Sequence, residues 1–191
     1  MTKKNNKKKQ TFKYVLCDWF CALIAWILFF FFRKYNEDPY FLDHYQLVFY
    51  DPNFIKGIVL VPVFWLMLHT ISGYYNNVFS KSRLKELGQT FFVVLLGVVI
   101  LFFATIIDDV IYSYKSYYVS FSVLFGLQFT LTYFCRLIIT TRTARKIHRK
   151  EIGFNTLIVG SHDNACDIYK EIENQVYSSG NIIVGFVNAF D

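Results

Sequence analysis

Four apolar runs, at residues 14–32, 54–73, 90–107 and 117–140, are each about the length of a bilayer crossing. A spanning helix needs about 20 mostly apolar residues at ~1.5 Å rise each. Backbone polar groups in hydrocarbon must be satisfied within the segment, so such runs fold as helices. The period-two alternation of a membrane β-barrel is missing. Hydrophobic residues make up 54% of the 191, with 22 Phe and 14 Tyr, and they fall in longer blocks than a soluble domain uses. The first run follows a basic stretch, as a secretory signal would. It is longer than a signal core of about 15 residues, and Arg33-Lys34 follows it instead of a small-residue cleavage site. It reads as a retained span.

The net charge of +6 could suggest a nucleic-acid partner, but its placement argues against one. Lys3, Lys4, Lys7, Lys8, Lys9 and Lys13 precede the first span. Lys81, Arg83 and Lys85 lie between the second and third, and Arg142, Arg145, Lys146, Arg149 and Lys150 follow the fourth. The other two loops hold Arg33, Lys34, Lys56 and Lys115 beside six aspartates and glutamates, Asp108 and Asp109 among them. The positive-inside bias then puts both termini in the cytosol. The lysine-rich start is suited to anionic headgroups, at ~1 kcal/mol per close basic residue. A solvated tail that only sets topology is an equal alternative.

Residues 1–13 read as an unstructured basic tail, 14–150 as a four-span domain with its loops, and 151–191 as the start of a soluble unit. Aromatic residues between spans one and two suit the headgroup layer. Pro62 removes a backbone donor within span two and predicts a kink. Ser80 or Ser82 can cap the third helix. After Lys150, residues 155–160 read as a buried strand, Ile168, Ile172 and Val176 lie at helical spacing, and 182–187 read as a second strand. This is one βαβ unit. One helix cannot cover both faces of a parallel pair. The expected fold is therefore mainly α, a four-helix transmembrane bundle followed by an incomplete Rossmann-like α/β unit.

Chemistry-bearing residues are few. Asp18 in span one and Arg136 in span four sit near the same membrane face. Ionisable groups within spans are expensive and usually find a partner, so these two are expected to pair and lock helix one to helix four. Separate snorkelling to the interface is the alternative. His69 reads as interfacial packing rather than a proton relay. Asp108 and Asp109 read as a solvated turn. Cys17, Cys21, Cys135 and Cys166 show no zinc spacing and read as small buried hydrophobes. The spans show no repeated polar stripe, which weighs against a transporter.

The segment from Gly160 through Ala165 lies between strand and helix, where a dinucleotide fold cradles a pyrophosphate. The fingerprint needs G-x-G-x-x-G, and here His162 and Ala165 replace the second and third glycines. Gly160 and Ser161 are the remaining cofactor-binding candidates. Asp163 or Asn164 as a simple helix cap is the stronger reading of that segment.

Certain pieces carry a resemblance along the whole chain. Cys17-Asp18-Trp19, with Trp26, Phe29 and Arg33, comes first. Ser72-Gly73-Tyr74-Tyr75 and the Ser82–Leu87 stretch follow, then Asp108-Asp109, Thr132-Tyr133 and Arg136. The run from Gly153 to Gly160 and Ile183-Val184-Gly185-Phe186-Val187 complete it. In this order they resemble the N-terminal region of bacterial polyprenyl glycosylphosphotransferases, most closely the Bacteroidetes-type branch. The resemblance implies transfer of a sugar-1-phosphate from a nucleotide-sugar, UDP-linked in that family, to undecaprenyl phosphate. It implies a multi-pass protein of the bacterial inner membrane that initiates exopolysaccharide or capsule synthesis. In that family the reaction uses a C-terminal domain with an acidic pair and magnesium, which these residues do not include. No catalytic residue, cofactor or metal ligand is therefore expected within this chain. The expected partners are membrane lipid and, for the full enzyme, undecaprenyl phosphate and nucleotide-sugar, with self-association left open. A stand-alone four-helix scaffold without catalytic activity is the competing reading.

Overall fold

The computed structural model describes residues 2–37, 45–76, 83–106, 114–149, 151, 153–160, 163–175 and 180–187. Its elements run α1 (Thr2–Glu37), a 3-10 turn (Tyr45–Tyr50), α2 (Pro52–Ile71), α3 (Arg83–Ile106), α4 (Tyr114–His148), β1 (Phe154–Val159), α5 (Asp163–Glu173) and β2 (Asn181–Val187). Two compact units divide at Ile139/Thr140.

Among the described residues, four helices are long and apolar enough to cross a membrane, with spans Lys8–Asn36, Pro52–Ile71, Arg83–Ala104 and Tyr117–His148. The chain is a membrane protein by this criterion. Helix α1 begins at Thr2, so the basic segment expected to be unstructured is helical. Lys and Gln are good helix formers. A span already nucleates the helix, and extending it backward costs far less than starting one.

Aromatic packing and small residues join the helices. Trp26 of α1 lies on α2, and its indole N–H donates to the Phe54 carbonyl at 3.3 Å. A methyl group at Gly57 would overlap the Trp26 ring, and one at Gly97 of α3 would press on Trp65 and Leu68 of α2. Lipid tails are as apolar as the side chains, so close backbone approach and packing hold membrane helices together. Between α3 and α4, Phe91 meets Phe125 and Phe129 edge-on. Phe129 in turn stacks between Phe125 and Tyr133, one helical turn to either side.

Helix α2 starts cleanly. Asp51 accepts from the Asn53 N–H at 2.9 Å, and Pro52 occupies the first turn, where its missing N–H is harmless. Lys34 pairs with Asp51 at 3.1 Å. Partial burial pushes the Asp51 carboxyl up, but the Asn53 N–H and Lys34 outweigh it, so its pKa lies below the usual carboxylate range. This contribution is present above the unfolded pKa and is lost as pH falls through the lowered value. Pro62 sits inside α2, which continues through it. The expected cap residues Ser80 and Ser82 lie outside the described residues.

In the second unit, β1 and β2 pair in parallel with an irregularity between Thr156 and Leu157. Helix α5 crosses over between them, as a parallel pair requires. Tyr169 of α5 meets Phe186 of β2 at a 6.0 Å ring separation. Ile158 and Ala165 are buried, whereas Leu157, Val159, Ile182 and Val184 are exposed. One helix thus leaves much of this small sheet uncovered, as expected from its sequence. After α4, the described residues of this unit form one βαβ crossover.

Candidate functional site

The end of α2 places the most unusual residues. Its last turn closes with Gly73 at a φ of 68°, a conformation that favours glycine. The Tyr74 N–H reaches back to the His69 carbonyl at 3.1 Å, and the Gly73 N–H to Thr70 at 3.0 Å. This is a Schellman close, with glycine at the left-handed position. Gln89 of α3 donates to the Ser72 carbonyl at 3.1 Å and ties the turn down. The turn delivers Tyr74 and Tyr75 into the bundle.

There they meet an ion pair. Arg136 Nε donates to Asp18 Oδ1 at 2.8 Å, and Nη2 donates to Oδ2 at 2.6 Å. Both side chains have 0% exposure. The planar guanidinium matches the carboxylate fork, so the pair is bidentate. Tyr75 donates a third bond to Asp18 Oδ2 at 2.7 Å. The Tyr74 ring lies under the guanidinium, 3.4 Å from Cζ to centroid, in cation–π contact. The Tyr74 hydroxyl shares a 2.7 Å bond with Thr90 Oγ1 and approaches the Glu86 carbonyl at 3.3 Å. Burial raises the pKa of Tyr74, and burial followed by the Asp18 charge raises that of Tyr75. Both phenols stay protonated near neutrality, so Tyr75 remains a donor.

The two residues expected to pair thus meet, and the tyrosines around them were not anticipated. His69 is fully buried, stacked on Trp65 and edge-on to Tyr74, so interfacial packing is corrected to core packing beside the ion pair. Gln128, Thr132 and Arg136 form a buried polar stripe at four-residue spacing on α4, and Glu86 and Thr90 do the same on α3. Gln128 donates to Thr132 at 3.0 Å. The expectation of spans without a repeated polar stripe is therefore corrected. Phe, Leu and Ile dominate these helices so strongly that the stripe shows only when positions are read every fourth residue.

The βαβ unit gives its phosphate-loop candidate little support. Gly160 has a positive φ of 152°, but its N–H donates to the Val187 carbonyl at 3.0 Å and is used by the sheet. Ser161 and His162 lie outside the described residues, as do Asp108 and Asp109. Asp163 and Asn164 are the first residues within α5. Their expected role was to cap the helix from ahead of it.

The cysteines also differ from the expectation. Cys21 is buried, Cys17 and Cys135 are half-buried, and Cys166 is exposed. The apolar character of the flanking residues does not decide which helix face a cysteine occupies. The first three gather between α1 and α4, with Cys21 Sγ 3.4 Å from the Leu131 carbonyl. Among the described residues no oxygen-rich cluster suits magnesium, which prefers octahedral oxygen ligands.

No family model, curated protein or solved structure matches the chain. The site must be judged by its own chemistry. It offers a charge-neutral, hydrogen-bonded clasp joining α1, α4 and the α2–α3 turn, which suits holding helices together.

If Gly73 is the hinge of this clasp, Gly73→Val should lower bundle stability by about 1–2 kcal/mol, the cost of a left-handed side chain. It should also weaken the Tyr75–Asp18 bond. Thermal unfolding in detergent, followed by tyrosine fluorescence, measures both.

Proposed function

We propose that this chain is the membrane-anchoring and regulatory N-terminal part of a bacterial inner-membrane transferase. The enzyme moves a sugar-1-phosphate from a nucleotide-sugar, of the UDP class, to undecaprenyl phosphate and so initiates exopolysaccharide or capsule synthesis. In this reading both termini are cytosolic, and the βαβ unit begins a Rossmann-like domain. The observation that carries the anchoring role is the Asp18–Arg136–Tyr75 clasp, which closes the bundle at one end. Transport pathways keep ionisable groups facing a route through the membrane. Here the charges are spent on each other. The transferase assignment rests on the ordered resemblance along the chain, and the chemistry itself is assigned to a C-terminal domain.

A stand-alone scaffold is the second reading. The uncovered apolar residues of β1 and β2 favour it, because a bound protein could cover them as well as further strands could. One assay separates the readings. Membranes holding the product of the gene's full reading frame are given a labelled UDP-sugar, undecaprenyl phosphate and magnesium. A labelled lipid-linked sugar diphosphate is expected, with none from residues 1–191 alone. A well-expressed full-frame product that forms no such lipid overturns the transferase reading.

A further inference from the structure

The Sγ atoms of Cys17, Cys21 and Cys135 all lie within 4.8 Å of one another, and none is in a disulfide. Two residues come from one turn of α1 and the third from α4. Their position is not left to chance, because Asp18 follows Cys17, Arg136 follows Cys135, and those two are locked together at 2.6–2.8 Å. The ion pair therefore fixes the register that gathers the sulfurs.

We propose that these three thiols form a binding site for one monovalent copper ion. Thiolate sulfur is a soft donor and selects Cu(I), zinc or iron–sulfur centres over hard cations. A structural zinc site closes with four ligands in a tetrahedron. This group contains three, with no His, Asp or Glu among the described residues completing it. Cu(I) is content with three sulfurs in a plane. A metal–sulfur bond of about 2.3 Å places three such sulfurs about 4 Å apart, so small side-chain rotations close the present spread. Cys21 would give up its contact with the Leu131 carbonyl. Each ligating thiol releases its proton to solvent, the copper stays monovalent, and no electron moves.

Access fits the same ion. Cys17 and Cys135 are half-buried, so the cluster has an open edge. Cys17 lies four residues beyond Lys13, about 6 Å along the helix axis, close to the basic end of the span. Bound copper would staple α1 to α4 next to the clasp and make its strength depend on metal.

The test uses the 191-residue chain in detergent under anaerobic conditions, with the exposed Cys166 replaced (Cys166→Ser) to remove a competing thiol. A Cu(I)–acetonitrile complex is titrated against a chromophoric Cu(I) chelator. One retained copper per chain is expected, with three sulfur neighbours by X-ray absorption and a raised melting temperature. Cys135→Ala should lower copper affinity at least about tenfold, since even an outer-shell change costs that much. Should that variant not fold, alkylation of the parent protein decides: copper must protect Cys17 and Cys135 from a maleimide. Loss of all copper to the chelator, equal retention by the Cys17→Ser/Cys21→Ser/Cys135→Ser protein, absence of protection, or tighter binding of zinc each overturns the proposal.

Discussion

Asp18→Ala, made with Arg136 left in place, is expected to destabilise the bundle by about 3–5 kcal/mol. The substitution leaves a fully buried guanidinium without its counter-ion, and the Tyr75 hydroxyl without its acceptor. Arg136→Leu should cost a similar amount by stranding the Asp18 carboxylate. The double variant Asp18→Leu/Arg136→Leu should lose much less than the two singles combined. Two charges removed together take their desolvation penalty with them, and well-packed apolar replacements are often neutral. Reversible unfolding in mixed detergent gives all four corners of this double-mutant cycle. A near-additive double variant would mean that the groups do not hold each other.

Trp65→Ala should be the next largest loss, about 3 kcal/mol or more. Trp65 is fully buried, lies against Gly97 of α3, and carries the stacked ring of His69. In lipid its removal forfeits packing more than transfer energy, because the solvent is itself apolar. Gly97→Leu attacks the same contact from the other side and should cost about 1–3 kcal/mol through overpacking. Leu28→Ala on the exposed surface of α1 is the control, with a change of about 0.5 kcal/mol or less. A Trp65→Ala protein as stable as this control would show that α2 and α3 do not depend on the contact.

The helices were legible because length and hydropathy alone identify a span. The runs near 54–73 and 117–140 correspond to α2 and α4; α2 lies two residues earlier, and α4 runs on to His148 through polar and basic residues. Asp18 and Arg136 stood out because charges are rare in such segments. Tyr74 and Tyr75 did not, since tyrosine at a span end ordinarily means a headgroup anchor. Only the left-handed turn at Gly73 brings them inside. The thiol cluster was illegible for a different reason. Cys17 and Cys21 share a helix face by spacing, but Cys135 joins them only through the α1–α4 register. No linear spacing encodes that register; the ion pair sets it.

The clasp is the centre of this account, and exchanging its charges tests it most directly. Asp18→Arg alone should put two guanidinium groups in one buried site and abolish stable expression in the membrane. Asp18→Arg combined with Arg136→Asp should restore much of the folded protein, as measured by detergent melting temperature. Full restoration is not expected, because Tyr75 donates to position 18 and Tyr74 lies under position 136. A combined variant no more stable than Asp18→Arg alone would contradict the claim that Asp18 and Arg136 lock helices α1 and α4 together.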